Sequence, residues 1–236
     1  MGMNKRLIVL ANSVKRHAHC VAGREILPAG AGVGGWVRPV SGEEQGELLD
    51  RHIQIGIGRL PQVLDIIDVP VLGPAQDPGQ PENWQIDETR RWSHVGQHFV
   101  GCIPLLDEKP PDLWNERGGP TDRIAVRVHA VRAPLRSIAL VSPERFRVQL
   151  WTELDTREQR SRRRTRAVFL YRGVEYNLPV TDPGLDRRHD LKHPGLHESP
   201  REEPLRCGDA CRLCISLTPP FYGFHYKVVA AVIELI

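Results

Sequence analysis

The chain opens with Leu7-Ile8-Val9-Leu10-Ala11-Asn12-Ser13, then a polar stretch from Lys15 to Cys20, then Val21-Ala22-Gly23-Arg24-Glu25-Ile26, and then Gly34-Gly35-Trp36-Val37-Arg38-Pro39-Val40-Ser41. Two apolar runs joined by a His/Lys/Arg turn, followed by a glycine-flanked Trp-Val-Arg-Pro, read as the first strands of a small barrel with charged groups at its rim. The rim donors are Ser13, Lys15, Arg16, His17, His19 and Arg38. In the ordinary alternative the loop cations are solvated and Arg38 is locked to a carboxylate such as Glu25. Trp36 reads as core.

Outward from this stretch the same texture continues. Twenty prolines and twenty-one glycines in 236 residues leave few windows for a three-turn helix, and short β-branched runs recur between them, so the chain is expected to be mainly β with a few short helices. Strands are expected over Arg6 to Ala11, His19 to Ile26, Gly35 to Pro39, Val63 to Val71, Ile124 to Val131, Arg166 to Tyr171, Glu175 to Val180, Cys211 to Leu217 and Lys227 to Leu235. Arg172-Gly173 marks the clearest hairpin turn. Gly73 to Pro120 reads as a long connection, with one helix expected over Glu82 to Trp92. A second is expected over Pro143 to Glu158, because Ser142-Pro143-Glu144 has the form of a cap followed by proline at the first helical position.

The hydrophobic fraction of 40% is compatible with a packed core, and no apolar run approaches the roughly 20 residues that span a bilayer. With no signal-peptide pattern at the N-terminus, a cytoplasmic location and no membrane partner are expected. The formal charge of +3 is too small to identify a nucleic-acid partner, but its distribution is uneven. Between Arg157 and Arg172 seven arginines face one acid, Glu158. Arg160, Arg162, Arg163, Arg164 and Arg166 lead into strands bearing Phe169, Tyr171 and Tyr176, a pairing of phosphate-neutralising charge with aromatic faces that single-strand binders use. Alternation places Phe169 and Tyr171 on one face, so both are exposed or both buried. The competing reading is a solvated, carboxylate-paired segment.

The five cysteines are Cys20, Cys102, Cys207, Cys211 and Cys214, an odd number that argues against a disulfide framework. Cys207, Cys211 and Cys214 have the C-x3-C-x2-C spacing of a radical-enzyme iron-sulphur loop, but they lie near the end of a β-rich chain with no α/β barrel to follow, and that reading is rejected. Zinc is the more credible ion. It needs one further ligand from His189, His193 or His197, and His193 is the residue taken. The alternative leaves Cys214 as a buried strand thiol and no cofactor at all. A Cys20 nucleophile beside His17 and His19 is weak, since neighbouring strand residues point apart. No Walker loop, nucleophile elbow or His-Glu-x-x-His pair is present, so an enzyme is not the favoured class.

Leu10-Ala11-Asn12-Ser13, Cys20-Val21-Ala22-Gly23, Gly35-Trp36-Val37-Arg38-Pro39-Val40-Ser41, Gln80-Pro81-Glu82-Asn83-Trp84, Tyr176-Asn177-Leu178-Pro179-Val180-Thr181-Asp182-Pro183 and Tyr226-Lys227-Val228-Val229-Ala230-Ala231 together resemble the dual OB-containing domain family of bacterial proteins. The resemblance covers nearly the whole chain. It implies one unit, 1–236, of two intimately packed OB-like barrels, with approximate halves 1–132 and 133–236 and the terminal strands in the shared core. It also implies a nucleic-acid or nucleotide sensing role beside an effector protein in bacterial conflict systems, and it assigns no catalytic residue. The expectation is a non-enzymatic module for single-stranded DNA, RNA or a nucleotide, contacted by Lys15, Arg16, Arg38, Arg160, Arg162, Arg163, Arg164, Arg166 and Tyr171. A metal-dependent enzyme or switch built on Cys207, Cys211, Cys214 and His193, holding zinc or an iron-sulphur centre, is the alternative. A protein-assembly scaffold is the third.

Overall fold

A computed structural model describes residues 2–15, 18–77, 79–116, 119–132, 135–155 and 159–235. The opening stretch forms β1 (Met3–Lys15), β2 (Ala18–Ile26) and β3 (Val33–Val40), and after α1 (Asp50–Ile53) come β4 (Asp65–Pro74) and β5 (Asn83–Ile86). β1 pairs antiparallel with β2, β2 with β3, β3 runs parallel to β5, β5 pairs with β4, and β4 returns to β1, which closes a five-stranded barrel. Alternation along β1 sends Leu7 and Val9 into this barrel with Val21, Val37, Ile67, Val69 and Ile86, and sends Ile8 and Leu10 outward. Yet the outward pair is as buried as the inward one. The run Leu7 to Ala11 is apolar throughout because both of its faces are covered.

The covering surface is a second barrel. β6 (Ser93–Gln97) adds to β4, and the chain then passes through a 3-10 turn at Val100–Leu106, β7 (Arg123–Ala125) and α2 (Val126–His129). β8 (Ile138–Val141) and β9 (Glu144–Asp155) together make the first strand of the second barrel, interrupted at Ser142 and Pro143. β10 (Arg160–Tyr171), β11 (Val174–Pro179), α3 (Leu185–Arg188), β12 (Arg201–Pro204), β13 (Cys211–Leu217) and β14 (Phe224–Glu234) follow. β9 pairs with β10 and β10 with β11; β11 meets β14 in parallel through the Val180–Val229 bridge, β14 pairs with β13, and β13 closes on β8. Strand order and the helix between third and fourth strands repeat those of the first barrel, the five-stranded Greek-key arrangement of an OB-fold. Its interior holds Val148, Leu150, Phe169, Tyr171, Tyr176, Leu178, Leu213, Ile215 and Val229.

Between the barrels, Ile8, Leu10, Ala11 and Ala22 pack on Ile138, Leu140, Cys214, Ala230, Ala231 and Ile233, with Ile103 and Leu106 beside them. Alanines on both sides let the strands approach closely. At one end of the seam the Gln80-Pro81-Glu82-Asn83 segment acts as a polar staple. Gln80 Nε2 donates to Leu217 O at 2.8 Å, Glu82 accepts from Ser137 N at 2.8 Å and from Ser137 Oγ at 2.7 Å, and Asn83 Oδ1 accepts from Arg38 Nη1 at 3.3 Å.

Three expectations about elements are corrected. The helix expected over Pro143 to Glu158, whose last three residues lie outside the described ones, is replaced by a strand: apolar Phe146, Val148 and Leu150 alternate with Arg147, Gln149 and Trp151, and this period of two makes β9 despite the capped-helix signal at its start. Glu82 to Trp92 is also not a helix, because Asn83–Ile86 is held extended between β3 and β4. The strand expected over Ile124 to Val131 stops at Ala125, where α2 begins. β12 has no counterpart among the expected strands; it pairs with the open edge of β9.

Candidate nucleic-acid interface

In an OB barrel the outer surface of the first three strands, with its adjoining loops, is where oligonucleotides lie. In the first barrel this surface carries Ile8, Leu10 and Ala22 and is covered by the second barrel. In the second barrel it is the outer face of β9, β10 and β11, which stands clear of the seam. The interior residues of β10 are Ala167, Phe169 and Tyr171, so alternation turns Arg160, Arg162, Arg164 and Arg166 outward. The register sets Arg166 opposite Gln149, Arg164 opposite Trp151, Arg162 opposite Glu153 and Arg160 opposite Asp155. Arg163 falls on the other face, opposite Thr152.

These guanidiniums are held in an ordered ladder. Arg164 Nε donates to Glu153 Oε1 at 2.7 Å, and Trp151 Nε1 donates to the same carboxylate at 3.2 Å. Arg162 Nη1 donates to Asp155 Oδ2 at 2.9 Å. Arg166 Nη2 reaches Asp122 Oδ2 at 3.1 Å beside Asn177, on the wall of a cleft of about 290 Å3 lined also by Pro120, Thr121, Glu175 and Tyr176. Arg147 bonds Glu202 at 2.8 Å and Glu175 at 3.3 Å. Although partial burial works against its charge, the Arg164 and Trp151 hydrogen bonds hold the Glu153 carboxyl below the usual carboxylate range. A guanidinium carries five N–H donors in a fixed fork, and the bonds of Arg162, Arg164 and Arg166 engage only part of each of these three forks. The face therefore has aimed, partly engaged donors around the edge of a half-buried indole, although its carboxylates offset much of its charge.

The other expected contacts lie elsewhere. Tyr171 is inside the second barrel, its hydroxyl donating to Pro110 O at 2.7 Å, and Phe169 is stacked at 5.6 Å on Tyr176; these aromatics are buried together. Arg38 is 2% exposed and donates from Nη2 to Ser216 Oγ at 2.9 Å, so it ties β3 to β13 rather than lining a rim. Ser13 is buried, and His19 bridges Asn12 Oδ1 at 2.8 Å and Asp50 Oδ1 at 3.1 Å. Lys15 ends β1; Arg16 and His17 lie outside the described residues. Trp151 is the functional candidate that sequence reasoning misses, since a helix over Pro143 to Glu158 gives it no partner on β10. The period-two pattern of Phe146 to Trp151 is the signal that points to it.

The cysteines also separate. Cys207 and Cys211 are both buried in the core of the second barrel, where Cys211 Sγ donates to Gly208 O at 3.5 Å, whereas Cys214 packs in the seam between the barrels. Burial pushes the Cys214 thiol well up, so it stays protonated. His193 lies apart from all three, 3.0 Å from Thr165 Oγ1 and 3.8 Å from Asp186. The four-residue set Cys207, Cys211, Cys214 and His193 is thus not brought together.

With two barrels of one strand order in place, the family model for the dual OB-containing domain matches residues 5–232. The chain belongs to the dual OB-containing domain family. No curated protein matches it in sequence. The motifs of this dual OB chain now have structural roles: Gln80 to Asn83 and Arg38 staple the barrels, and Ala230-Ala231 let them pack closely. Among the described residues no helix is long and apolar enough to cross a membrane.

Proposed function

We propose that this dual OB protein is a non-enzymatic module that binds single-stranded nucleic acid across the outer face of β9, β10 and β11. The observation that carries the proposal is that, of the two equivalent barrel faces, one is consumed by the seam and the other presents Arg160, Arg162, Arg164 and Arg166 around Trp151. Phosphates would take the donors of Arg162, Arg164 and Arg166 that Glu153, Asp155, Asp122 and Asn177 do not hold, and a base would stack against Trp151 or a guanidinium plane. Arg38 and Tyr171, both buried, have no part in this contact, and Arg163 faces away from it. A nucleotide at the Arg166 cleft is a smaller version of the same recognition. An effector partner and a place in bacterial defence belong to the proposal on the strength of the family resemblance alone.

The test is fluorescence anisotropy with labelled single-stranded DNA and RNA across a salt series. Arg162→Ser with Arg164→Ser is expected to weaken binding at least tenfold at low salt and to flatten the log–log salt slope by about 0.7 for each phosphate that is no longer neutralised. Arg163→Ser is expected to leave both nearly unchanged. Equal losses from Arg163→Ser would overturn the assignment of the face.

A further inference from the structure

Where β13 begins and β14 ends, the sheet register places Cys211 directly opposite Glu234. Cys207 lies in the turn before β13, Cys211 donates from Sγ to Gly208 O at 3.5 Å, and His189, the residue that caps α3, sends Nε2 to within 3.0 Å of Glu234 Oε1. One ligand atom from each of His189, Cys207 and Glu234 lies within 4.8 Å of the other two. The His189 side chain is 3% exposed and Cys207 and Cys211 are buried, while Glu234 keeps 23% of its side chain open to solvent. Among the described residues His189 Nδ1 is buried with no hydrogen-bond partner, so its protein neighbours leave the imidazole unsaturated, an uncommon state for a buried polar atom.

We propose that His189, Cys207, Cys211 and Glu234 bind one zinc ion. Two thiolates, an imidazole and one carboxylate make a four-ligand set that suits zinc and is too soft for magnesium or calcium. Zinc–sulphur and zinc–nitrogen bonds of about 2.3 and 2.0 Å set neighbouring ligand atoms roughly 3.3–3.8 Å apart, so the His189, Cys207 and Glu234 atoms close by about 1–1.5 Å, while Cys211 Sγ, which stands outside that group, turns from Gly208 O to complete the tetrahedron. On binding, both thiols release their protons to solvent, and Arg188, which now shares Glu234 Oε1 at 3.2 Å, keeps its 2.8 Å bond to Asp182. The ion ties the ends of β13 and β14 to α3 and is structural. It makes no demand on the nucleic-acid face, so either proposal can fail without the other.

The experiment is metal analysis and cobalt(II) titration of the full chain. Stoichiometric zinc in protein purified without chelators is expected, lost in Cys207→Ser and His189→Ala and kept in Cys214→Ser and His193→Ala. Cobalt added to metal-stripped wild-type protein should give a thiolate-to-cobalt charge-transfer band and the visible bands of a tetrahedral site, and zinc should bleach them. The wild-type titration decides the matter even if a cysteine variant does not fold. Absence of the charge-transfer band overturns the proposal, as does a Cys207–Cys211 disulfide in place of the ion, or equal metal loss from Cys214→Ser.

Discussion

At the scale of single residues, Arg38 and Lys227 are two cations that the fold removes from water. Among the described residues Arg38 bonds only the neutral side chains of Asn83 and Ser216, and its Nε is buried without a partner. Because the two bonds use the planar fork, Arg38→Lys loses at least one of them and is expected to cost about 1–3 kcal/mol in urea unfolding, with nucleic-acid affinity unchanged in the folded variant. Lys227 is fully buried with Nζ 3.5 Å from Asn115 Oδ1, and burial lowers its pKa to about 8 against the opposing pull of Asp112, Asp122 and Glu116. Since the folded value lies below the unfolded one, the unfolded chain holds the extra proton between about pH 8 and 10.5, and this group's contribution to stability rises with pH across that window. Wild type is therefore expected to gain about 2 kcal/mol relative to Lys227→Met between pH 7 and pH 10. A difference that stays constant with pH would show that Lys227 does not titrate there.

At the scale of elements, local sequence and long-range pairing contribute unequally. The β10–β11 hairpin is legible because Arg172 and Gly173 both adopt positive φ, 51° and 75°, as a two-residue turn requires. Arg172→Asn, which tolerates that conformation better, is expected to stabilise by a few tenths of a kcal/mol to about 1 kcal/mol. Gly23 reports a different constraint. A Cβ there would lie 2.2 Å from Ile8 O, where β2 crosses the bulge in β1 between Val9 and Ala11. Gly23→Ala must push two barrel strands apart, and a drop in stability of at least about 2 kcal/mol is expected from thermal unfolding. β9 reads as a helix from local sequence because a helix start signal needs only three residues, Ser142-Pro143-Glu144, whereas the strand is fixed by partners on β10 that lie from 5 residues on (Asp155 with Arg160) to 26 residues on (Glu144 with Leu170). β5 and β12 are hidden for the same reason: each has four residues and exists through its neighbours.

For the whole molecule, the chain's two ends meet in the seam, where Ile8 and Leu10 of β1 pack with Ala230, Ala231 and Ile233 of β14. The apolar first and last runs announce buried strands, but they do not tell which face belongs to a barrel and which to the seam. For that reason Arg38 reads as a rim donor. Removing residues 227–236 takes most of the closing strand from the second barrel and one wall from the seam. The truncated chain is expected to aggregate, and a monomeric product with β-type circular dichroism would contradict the topology. The seam also decides where a ligand can lie, because it buries the outer β1–β3 face of one barrel and leaves the corresponding face of the other free. The most direct measurement is the salt dependence of single-strand binding by wild type and by the Arg162→Ser, Arg164→Ser double variant. The predicted result is salt-sensitive binding whose slope falls by about 1.4 in the double variant. Binding with the same affinity and slope in both proteins would contradict the placement of nucleic acid on this face.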